Sequence, residues 1–208
     1  MFIHTLTPAA WQLLQRLGQE PWLHEFYLAG GSAAALHLGH RVSVDLDFFT
    51  PQEYDPELLS RQLQRVGHLR VQQQSQGTLV GQVSGVQVSY FSYPYPLLEE
   101  TIALSKVRVA SLLDIALMKL IAIGQRGTKR DFVDLYFICQ SGWQLADLLQ
   151  RVPQKYRTVS YPSYHLLRAL VYFEDAEGDV SLHMLGEWNW AAVKEFFEGE
   201  VRALMDKL

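Results

Sequence analysis

The sequence predicts an α+β protein in which an α/β first half is followed by a helical second half. Before the Tyr-Pro-Tyr-Pro segment at residues 93–96, apolar residues recur about every second position in short segments separated by Gly-containing turns, as is typical of strands. Beyond that segment the apolar period lengthens to about three and a half, which is typical of helices. We therefore divide the 208-residue chain into an α/β unit, residues 1–105, and a helical unit, residues 106–208, and expect a cleft between them.

The elements of the first half follow from capping residues and from alternation. Residues 7–18 form a predicted helix, because Thr7 can serve as its N-cap, Pro8 occupies the first helical position and Gly18 lies at the end. The strand predicted at residues 26–28 leads into a Gly-Gly turn and a small-residue helix. The other elements are helices and strands with clear apolar patterns, namely helices at 32–38 and 56–66 and strands at 42–49, 69–73, 78–83 and 86–91.

The second half contains five segments with a helical apolar period. They span residues 111–125, 128–140, 144–151, 163–174 and 189–208. The longest apolar stretch, residues 109–124, is interrupted by Asp114 and Lys119, so we expect no membrane span.

The composition is that of an ordinary soluble protein with a sizeable core. Hydrophobic residues make up 49% of the chain and charged residues 19%. The single cysteine, Cys139, cannot form an internal disulfide, and the N-terminal residues lack the pattern of a signal peptide. We therefore expect a cytoplasmic protein.

Charge is distributed unevenly along the chain. The net charge of −4 argues against a general nucleic-acid coat, which would be basic. Residues 106–130 nevertheless hold six basic residues and one acid, whereas residues 174–208 hold nine acids and three bases. A local cationic patch suits a compact anion such as a triphosphate better than a long duplex. The alternative is that these charges lie on solvated helix faces.

Gly30 and Gly31 lie where a predicted strand turns into a helix. Backbone amides without side chains beside them can approach a phosphate, and a helix N-terminus adds favourable partial charge. Ser32 can add a hydroxyl to the same phosphate oxygens. Taken alone, the glycine pair is equally compatible with a structural turn.

Asp45 and Asp47 are two residues apart on a predicted strand, so both should point to one face of the sheet. Two like charges placed this way repel each other unless a cation neutralises them, and Mg²⁺ prefers one or two carboxylates together with phosphate oxygens. The alternative is a solvated polar strand face. Arg41 and Ser43 precede the pair and could orient it or contact phosphate.

The order of these motifs resembles the polymerase-β-like nucleotidyltransferase superfamily. The sequence from Gly30 to Phe49 is similar to the AbiEii/AbiGii family of type IV toxin–antitoxin systems. It reads Gly-Gly-Ser-Ala-x-Ala-Leu-x-x-Gly-His-Arg-x-Ser-x-Asp-Leu-Asp-Phe-Phe. The resemblance continues through residues 93–96, Asp114-Ile-Ala-x-x-Lys119 and the segment 126–136, and covers roughly residues 26–138. It implies a nucleotidyltransferase-like mixed sheet with flanking helices, followed by a helical C-terminal half.

The resemblance also implies a function and its partners. A nucleotidyl group would move from an NTP to a hydroxyl acceptor with Mg²⁺ assistance, the acceptor being RNA such as a tRNA 3′ end, and an antitoxin protein would hold the toxin in check. Asp45 and Asp47 would hold the metal, and the phosphates would be bound by Gly30, Gly31 and Ser32.

In the helical half, the resemblance implies that Lys119 binds the nucleotide and that Asp131 is required for activity. Lys119 and Arg126 are two helical turns apart and share a face, where they could hold the triphosphate opposite the metal. Alternatively, Lys119 extends from a half-buried site to solvent, and Asp131 forms a capping box with Thr128. The supporting residues are Lys129, Arg130 and Asp134, and Arg130 can pair with Asp134 at i, i+4.

One position departs from the superfamily pattern. A third carboxylate is usual on a neighbouring strand, and Ser89 occupies the expected position here. Asp131 or Asp134 would then replace that acid, or the reaction would use fewer carboxylates, or the site would bind nucleotide without transferring it. Ser89 favours one rival function, a non-catalytic nucleotide sensor on the same fold. A second rival is a dinucleotide-binding domain, but the glycine-rich motif of such domains has a third glycine that is missing after Gly30 and Gly31.

Overall fold

A seven-stranded mixed sheet forms the centre of the computed structural model, which describes residues 1–179 and 181–206. The strand order is β3-β4-β5-β2-β1-β7-β6. The strands are β1 (Tyr27–Ala29), β2 (Leu46–Thr50), β3 (Leu69–Ser75), β4 (Thr78–Val83), β5 (Val86–Ser92), β6 (Ile102–Leu104) and β7 (Val107–Val109). The β2–β5 and β1–β7 pairs are parallel and the other pairs are antiparallel, which confirms the mixed sheet.

Helices cover the sheet and form most of the second half of the chain. They are α1 (Pro8–Leu17), α2 (Gly30–Leu38), α3 (Pro56–Val66), α4 (Leu112–Gln125), α5 (Lys129–Gln140), α6 (Leu145–Lys155), α7 (Ser163–Ala169), α8 (Glu174–Glu177) and α9 (Trp190–Met205). The start of α1 is as expected, because the Thr7 side chain accepts a hydrogen bond from the Ala10 amide at 3.2 Å. The helix predicted at 163–174 ends at Ala169, and a separate short helix begins at Glu174. Residues 207 and 208 of the last predicted helix lie outside the described residues.

The predicted strand at residues 42–49 begins only at Leu46. Residues 41–45 instead make isolated bridges, between Ser43 and Leu6 and between Arg41 and Met184. Their backbone polar groups bond to the N-terminal segment and to residue 183, so they need no place in the sheet. Asp45 consequently lies just before β2, while Asp47 lies on it.

The two short strands β6 and β7 were not predicted. They form a hairpin whose turn contains Ser105 and Lys106 at positive φ, and β7 pairs with β1, so the hairpin forms one edge of the sheet. The predicted boundary between residues 105 and 106 therefore falls within this turn, and the two halves share the sheet. The division of the chain into two separate units stays a prediction.

Packing of α2, α4 and α5 against each other joins the sheet to the helical half. α2 contacts β1 and β2 on one side and α4 and α5 on the other, and α9 packs on α5. The core runs through both halves without interruption. Within the described residues, no helix has both the length and the apolar character needed to cross a bilayer.

Candidate functional site

A cavity of about 740 Å³ lies between one face of the sheet and α4. Most of the site residues predicted from sequence line it: Gly30, Gly31, Arg41, Ser43, Asp45, Asp47, Lys119, Arg126, Arg130 and Asp131. The remaining three, Ser32, Lys129 and Asp134, lie outside this lining. The structure thus brings residues from both halves of the chain to one cavity.

The Gly-Gly turn lies directly against Asp47. Ala29, the last residue of β1, is the register partner of Asp47 on β2, so Gly30 follows beside that carboxylate. Gly30 has a φ of +64°, and a Cβ there would lie 2.8 Å from Asp47 Oδ2. Glycine is therefore required both by the backbone and by the closeness of the carboxylate.

Asp47 and Asp45 differ in their surroundings. The side chain of Asp45 is 34% exposed, and its Oδ2 lies 3.6 Å from the Arg130 guanidinium. Burial raises the pKa of Asp47, and the nearby Asp45 charge adds to this, while a hydrogen bond from Ser89 partly opposes it. Asp47 is thus a carboxylate whose charge is poorly compensated by the protein.

Ser32 and Ser43 hold the segment that carries Asp45. The Ser32 hydroxyl is buried, lies 2.9 Å from the Ser43 hydroxyl and also contacts the Asp45 carbonyl oxygen. The hydroxyl that was expected to contact phosphate therefore has partners within the protein. Ser43 lines the cavity, so it is the better placed of the two for a ligand.

Asp134 is the centre of a buried cluster of cations. Its carboxylate accepts two hydrogen bonds from Arg41, at 2.7 and 2.9 Å, and one from His40 at 2.8 Å, and Lys119 Nζ lies 2.7 Å away. Burial would raise the pKa of Asp134, but Arg41 and Lys119 outweigh it and hold the pKa well below the usual value. The predicted Arg130–Asp134 pair is wrong, because Asp134 faces α2 whereas Arg130 reaches Asp45.

Asp131 joins Lys119 to Arg126. Lys119 Nζ donates to Asp131 at 2.8 Å, Arg126 Nε lies 3.3 Å away, and the Thr128 hydroxyl donates at 2.7 Å. Burial would raise the pKa of Asp131, but the two cations lower it. Thr128 is the N-cap of α5, yet its hydroxyl serves Asp131 instead of accepting from the helix N-terminus, so the capping-box alternative is wrong.

Lys119 does not extend to solvent. Its side chain is only 8% exposed. Burial would lower its pKa, but Asp131 and Asp134 outweigh burial and raise it, so the lysine is charged. Lys119 and Arg126 both reach Asp131, although Arg126 is the residue just after the end of α4 and not part of the helix.

Lys129 lies on the other side of α5 from the cavity. Its amide donates to Asp179, and its ammonium group lies 5.4 Å from the Trp190 ring centroid. The sequence predicted a supporting role for Lys129 in the site, but Lys129 does not line the cavity. Lys129 instead joins α5 to the segments before and within α9.

Sequence analysis missed His40 and the aromatic side of the cavity. The contact of His40 with Asp134 joins residues 94 positions apart, so no local pattern reveals it. Aromatic residues from β2, β5 and later segments also line the cavity: Phe49, Phe91, Tyr93, Tyr95 and Tyr161. A signal was available, because Phe49 and Phe91 lie two residues after Asp47 and Ser89 on the same strand faces.

The donor set fits a magnesium ion. Asp45 and Asp47 offer carboxylate oxygens, which Mg²⁺ prefers, and burial raises the pKa of Asp47 by more than the nearby Lys119 and Arg126 lower it. The close approach of Gly30 leaves room beside Asp47 Oδ2 that a Cβ would fill. In residues 1–179 and 181–206, no group of three His, Cys, Asp or Glu side chains is arranged to hold a metal.

Comparison with known proteins agrees with this geometry. The family model described as "Nucleotidyl transferase AbiEii toxin, Type IV TA system" matches residues 12–96 and 84–203. The chain belongs to the AbiEii nucleotidyltransferase toxin family. An uncharacterized protein of Aquifex aeolicus (strain VF5), aq_aa25, is 40% identical over 188 residues, which are 88% of this chain and 89% of the relative.

Solved structures show the fold of this AbiEii family member. The crystal structure of a "putative nucleotidyltransferase" from H. pylori superposes with a TM-score of 0.56 at 16% identity and covers 94% of this chain and 91% of its own. The crystal structure of JHP933 from Helicobacter pylori superposes with a TM-score of 0.45 at 16% identity, covering 93% and 92%. The first of these supports the nucleotidyltransferase-like fold predicted from sequence.

We expect Gly30→Ala to destabilise the protein by about 1–2 kcal/mol, because alanine at positive φ is strained and its Cβ would press on Asp47. The matched control is Gly199→Ala in α9, where a Cβ would meet no atom within 4 Å. That substitution should stabilise the protein by up to about 1 kcal/mol, since alanine favours helices. Urea unfolding of both variants measures the difference, and equal effects would contradict the account of the turn.

Proposed function

We propose that this AbiEii family member moves a nucleotidyl group from an NTP to a hydroxyl acceptor with the help of Mg²⁺. The observation that supports the proposal is the position of Asp45 and Asp47 beside the Gly30–Gly31 turn, in a cavity that cations line on its other side. Mg²⁺ bound there would stabilise both the attacking oxygen and the leaving pyrophosphate.

The phosphates would lie between the Gly-Gly turn and the two exposed arginines. Backbone amides at a helix N-terminus suit phosphate oxygens, and α2 begins at Gly30. The side chains of Arg126 and Arg130 are 67% and 56% exposed, so they can turn towards a ligand. Arg41 and Lys119 are buried and paired with carboxylates, so they would form a fixed wall behind the phosphates and would not turn towards them.

We propose that Asp131 positions Lys119 and Arg126 on the cavity wall. Its lowered pKa makes it a weak proton acceptor, which favours positioning over base catalysis. In the reaction, the acceptor oxygen bonds to the α-phosphorus, the α–β phosphoanhydride bond breaks and pyrophosphate leaves. The hydroxyl proton would go to water, because Ser89 beside Asp47 cannot serve as a general base.

The family supports a role as the toxin of a type IV toxin–antitoxin system, with an antitoxin protein as partner. We propose RNA, such as a tRNA 3′ end, as the acceptor. The local cationic side of the cavity is compatible with a phosphate-bearing acceptor on a chain whose net charge is −4.

The second candidate function is a nucleotide sensor that does not catalyse transfer. Two observations favour it: Ser89 occupies the position beside Asp47, and the cations Lys119 and Arg41 are already neutralised by carboxylates. Both functions require the same binding site, so binding and turnover must be measured separately.

Mg²⁺ and an NTP together should stabilise the protein by more than either ligand alone. At ligand about a hundredfold above its dissociation constant, linkage predicts roughly 2.7 kcal/mol, which a thermal melt detects. Asp131→Asn should reduce both this stabilisation and the transfer of label from NTP to RNA, because Lys119 and Arg126 lose the carboxylate that positions them. If wild type is stabilised but transfers no label from any of the four NTPs, the sensor replaces the enzyme. If no stabilisation occurs, both functions are wrong.

A further inference from the structure

The lining of the cavity changes from carboxylate to aromatic along two paired strands. On β2, Asp47 and Phe49 face the cavity, and on β5, Ser89 and Phe91 do so. The register pairs Asp47 with Ser89 and Phe49 with Phe91. Two residues along a strand span about 7 Å. This is the length scale that separates the phosphates of a nucleotide from its base.

The aromatic end of the cavity consists of Phe49, Phe91, Tyr93, Tyr95 and Tyr161. Ring centroids lie 5.4 Å apart for Phe49 and Phe91, 5.5 Å for Phe49 and Tyr93, and 4.8 Å for Tyr93 and Tyr95. All five side chains are half-buried, whereas Phe48 and Tyr90, on the other face of the same strands, are fully buried in the core. The aromatic end therefore packs on the core and also presents ring surface to the cavity.

An apolar stretch of α4 forms the opposite wall. Met118, Ile121 and Ala122 line the cavity there, on the same helix that carries Lys119. A space between aromatic rings and aliphatic side chains suits a flat, apolar ligand with two faces. The cavity thus has one end for anions and metal and another for a planar ring.

The aromatic end is held rigidly by contacts outside the cavity. The Tyr93 amide donates to the Thr50 carbonyl at 2.7 Å, and the Tyr93 hydroxyl lies 2.7 Å from that of Tyr156. The buried Lys155 donates to the Pro96 carbonyl at 2.8 Å and to Asp114 at 2.7 Å, which fixes the end of the Tyr-Pro-Tyr-Pro segment. A rigid wall loses little conformational entropy when a ligand binds.

We propose that the aromatic end stacks the base of the incoming NTP, whose phosphates lie at Asp45 and Asp47. This inference rests on the proposed function, since it assigns the other end of the same ligand. Stacking uses the face of the base, so it separates nucleotides from simple polyphosphates more strongly than one base from another.

The test compares NTPs with inorganic triphosphate, both with Mg²⁺, by titration calorimetry. The tightest-binding of the four NTPs should bind wild type roughly ten- to a hundredfold more tightly than triphosphate. Phe91→Ala should lose most of that difference and leave triphosphate affinity unchanged, which also shows that the variant is folded. Phe91→Tyr should keep the difference, as should the control Tyr164→Ala, whose side chain is 58% exposed and lies outside the cavity lining.

The outcomes separate the inference from the proposed function. Equal affinity of wild type for triphosphate and for all four NTPs would overturn the base site but leave the phosphate and metal site standing. An unchanged NTP affinity in Phe91→Ala, or a loss confined to binding of an RNA oligonucleotide, would also overturn it. A failure of triphosphate and of all four NTPs to bind with Mg²⁺ would instead overturn the proposed function.

Discussion

Asp134→Ala will destabilise the protein by about 3–5 kcal/mol, because the substitution leaves buried Arg41 and Lys119 without a carboxylate that both now contact. The side chain of Asp134 is 0% exposed, so water cannot replace it. For a chain of this length the loss corresponds to a fall in melting temperature of roughly 6–20 °C. Thermal or urea unfolding at neutral pH measures it.

The control for this variant is Asp147→Ala, at an exposed position in the first turn of α6. Its cost should be less than about 1 kcal/mol, the usual size of a charge effect at a helix end. The folded-state pKa of Asp134 is depressed, so its contribution is fully present above the unfolded pKa, about 4, and is lost as pH falls below that value. A similar loss of unfolding free energy in the two variants would contradict the buried cluster. So would a stability difference between wild type and Asp134→Ala that does not shrink as the pH falls below about 4.

We predict that Asp47→Asn will lower the rate of nucleotidyl transfer by on the order of a thousandfold, because the proposed Mg²⁺ would lose a carboxylate ligand where charge develops in the transition state. Asp45→Asn should have a similar effect. The fold should remain intact, since burial and Asp45 raise the pKa of Asp47 and its charge is unfavourable in the empty site. Circular dichroism and unfolding midpoints check the fold.

The raised pKa of Asp47 also predicts how Mg²⁺ affinity depends on pH. The folded-state pKa of Asp47 is raised, so its ionisation costs stability, and this cost disappears as pH falls through the folded-state pKa. Mg²⁺ binding needs the ionised form and should weaken at a higher pH than an ordinary aspartate would show. In Asp47→Asn that dependence should be absent. A wild-type affinity that stays constant down to pH 4 would contradict the assignment.

Local sequence signals predicted the parts of the fold that depend on neighbouring residues. The Thr7 cap, the alternation of β4 and β5 and the strand-to-helix turn at Gly30 each occupy a few consecutive positions. The three-residue strands β6 and β7 are too short for a period to be recognised. Residues 42–45 alternate like a strand, but their partners are the N-terminal segment and residue 183, which no local pattern reveals.

The candidate site shows the same division. The shared cavity of Asp45 with Asp47, and of Lys119 with Arg126, could be predicted, because the members of each pair are close in sequence and local spacing brings them to one side. The partner of Asp134 could not, since Arg41 is 93 residues away and the i, i+4 rule favoured Arg130 instead. Long-range pairing of charges depends on how α2 and α5 pack, and only the structure contains that packing.

The most direct test of the central claim is a transfer assay with NTPs labelled at the α-phosphate, Mg²⁺ and total RNA. We predict that wild type leaves label on RNA and releases one pyrophosphate for each nucleotide transferred, that omission of Mg²⁺ stops the reaction, and that Asp47→Asn shows roughly a thousandth of the rate. Full transfer by Asp47→Asn would contradict the assignment of the metal site. An absence of label on RNA with all four NTPs, despite tight nucleotide binding, would contradict the claim that the protein is a nucleotidyltransferase acting on RNA.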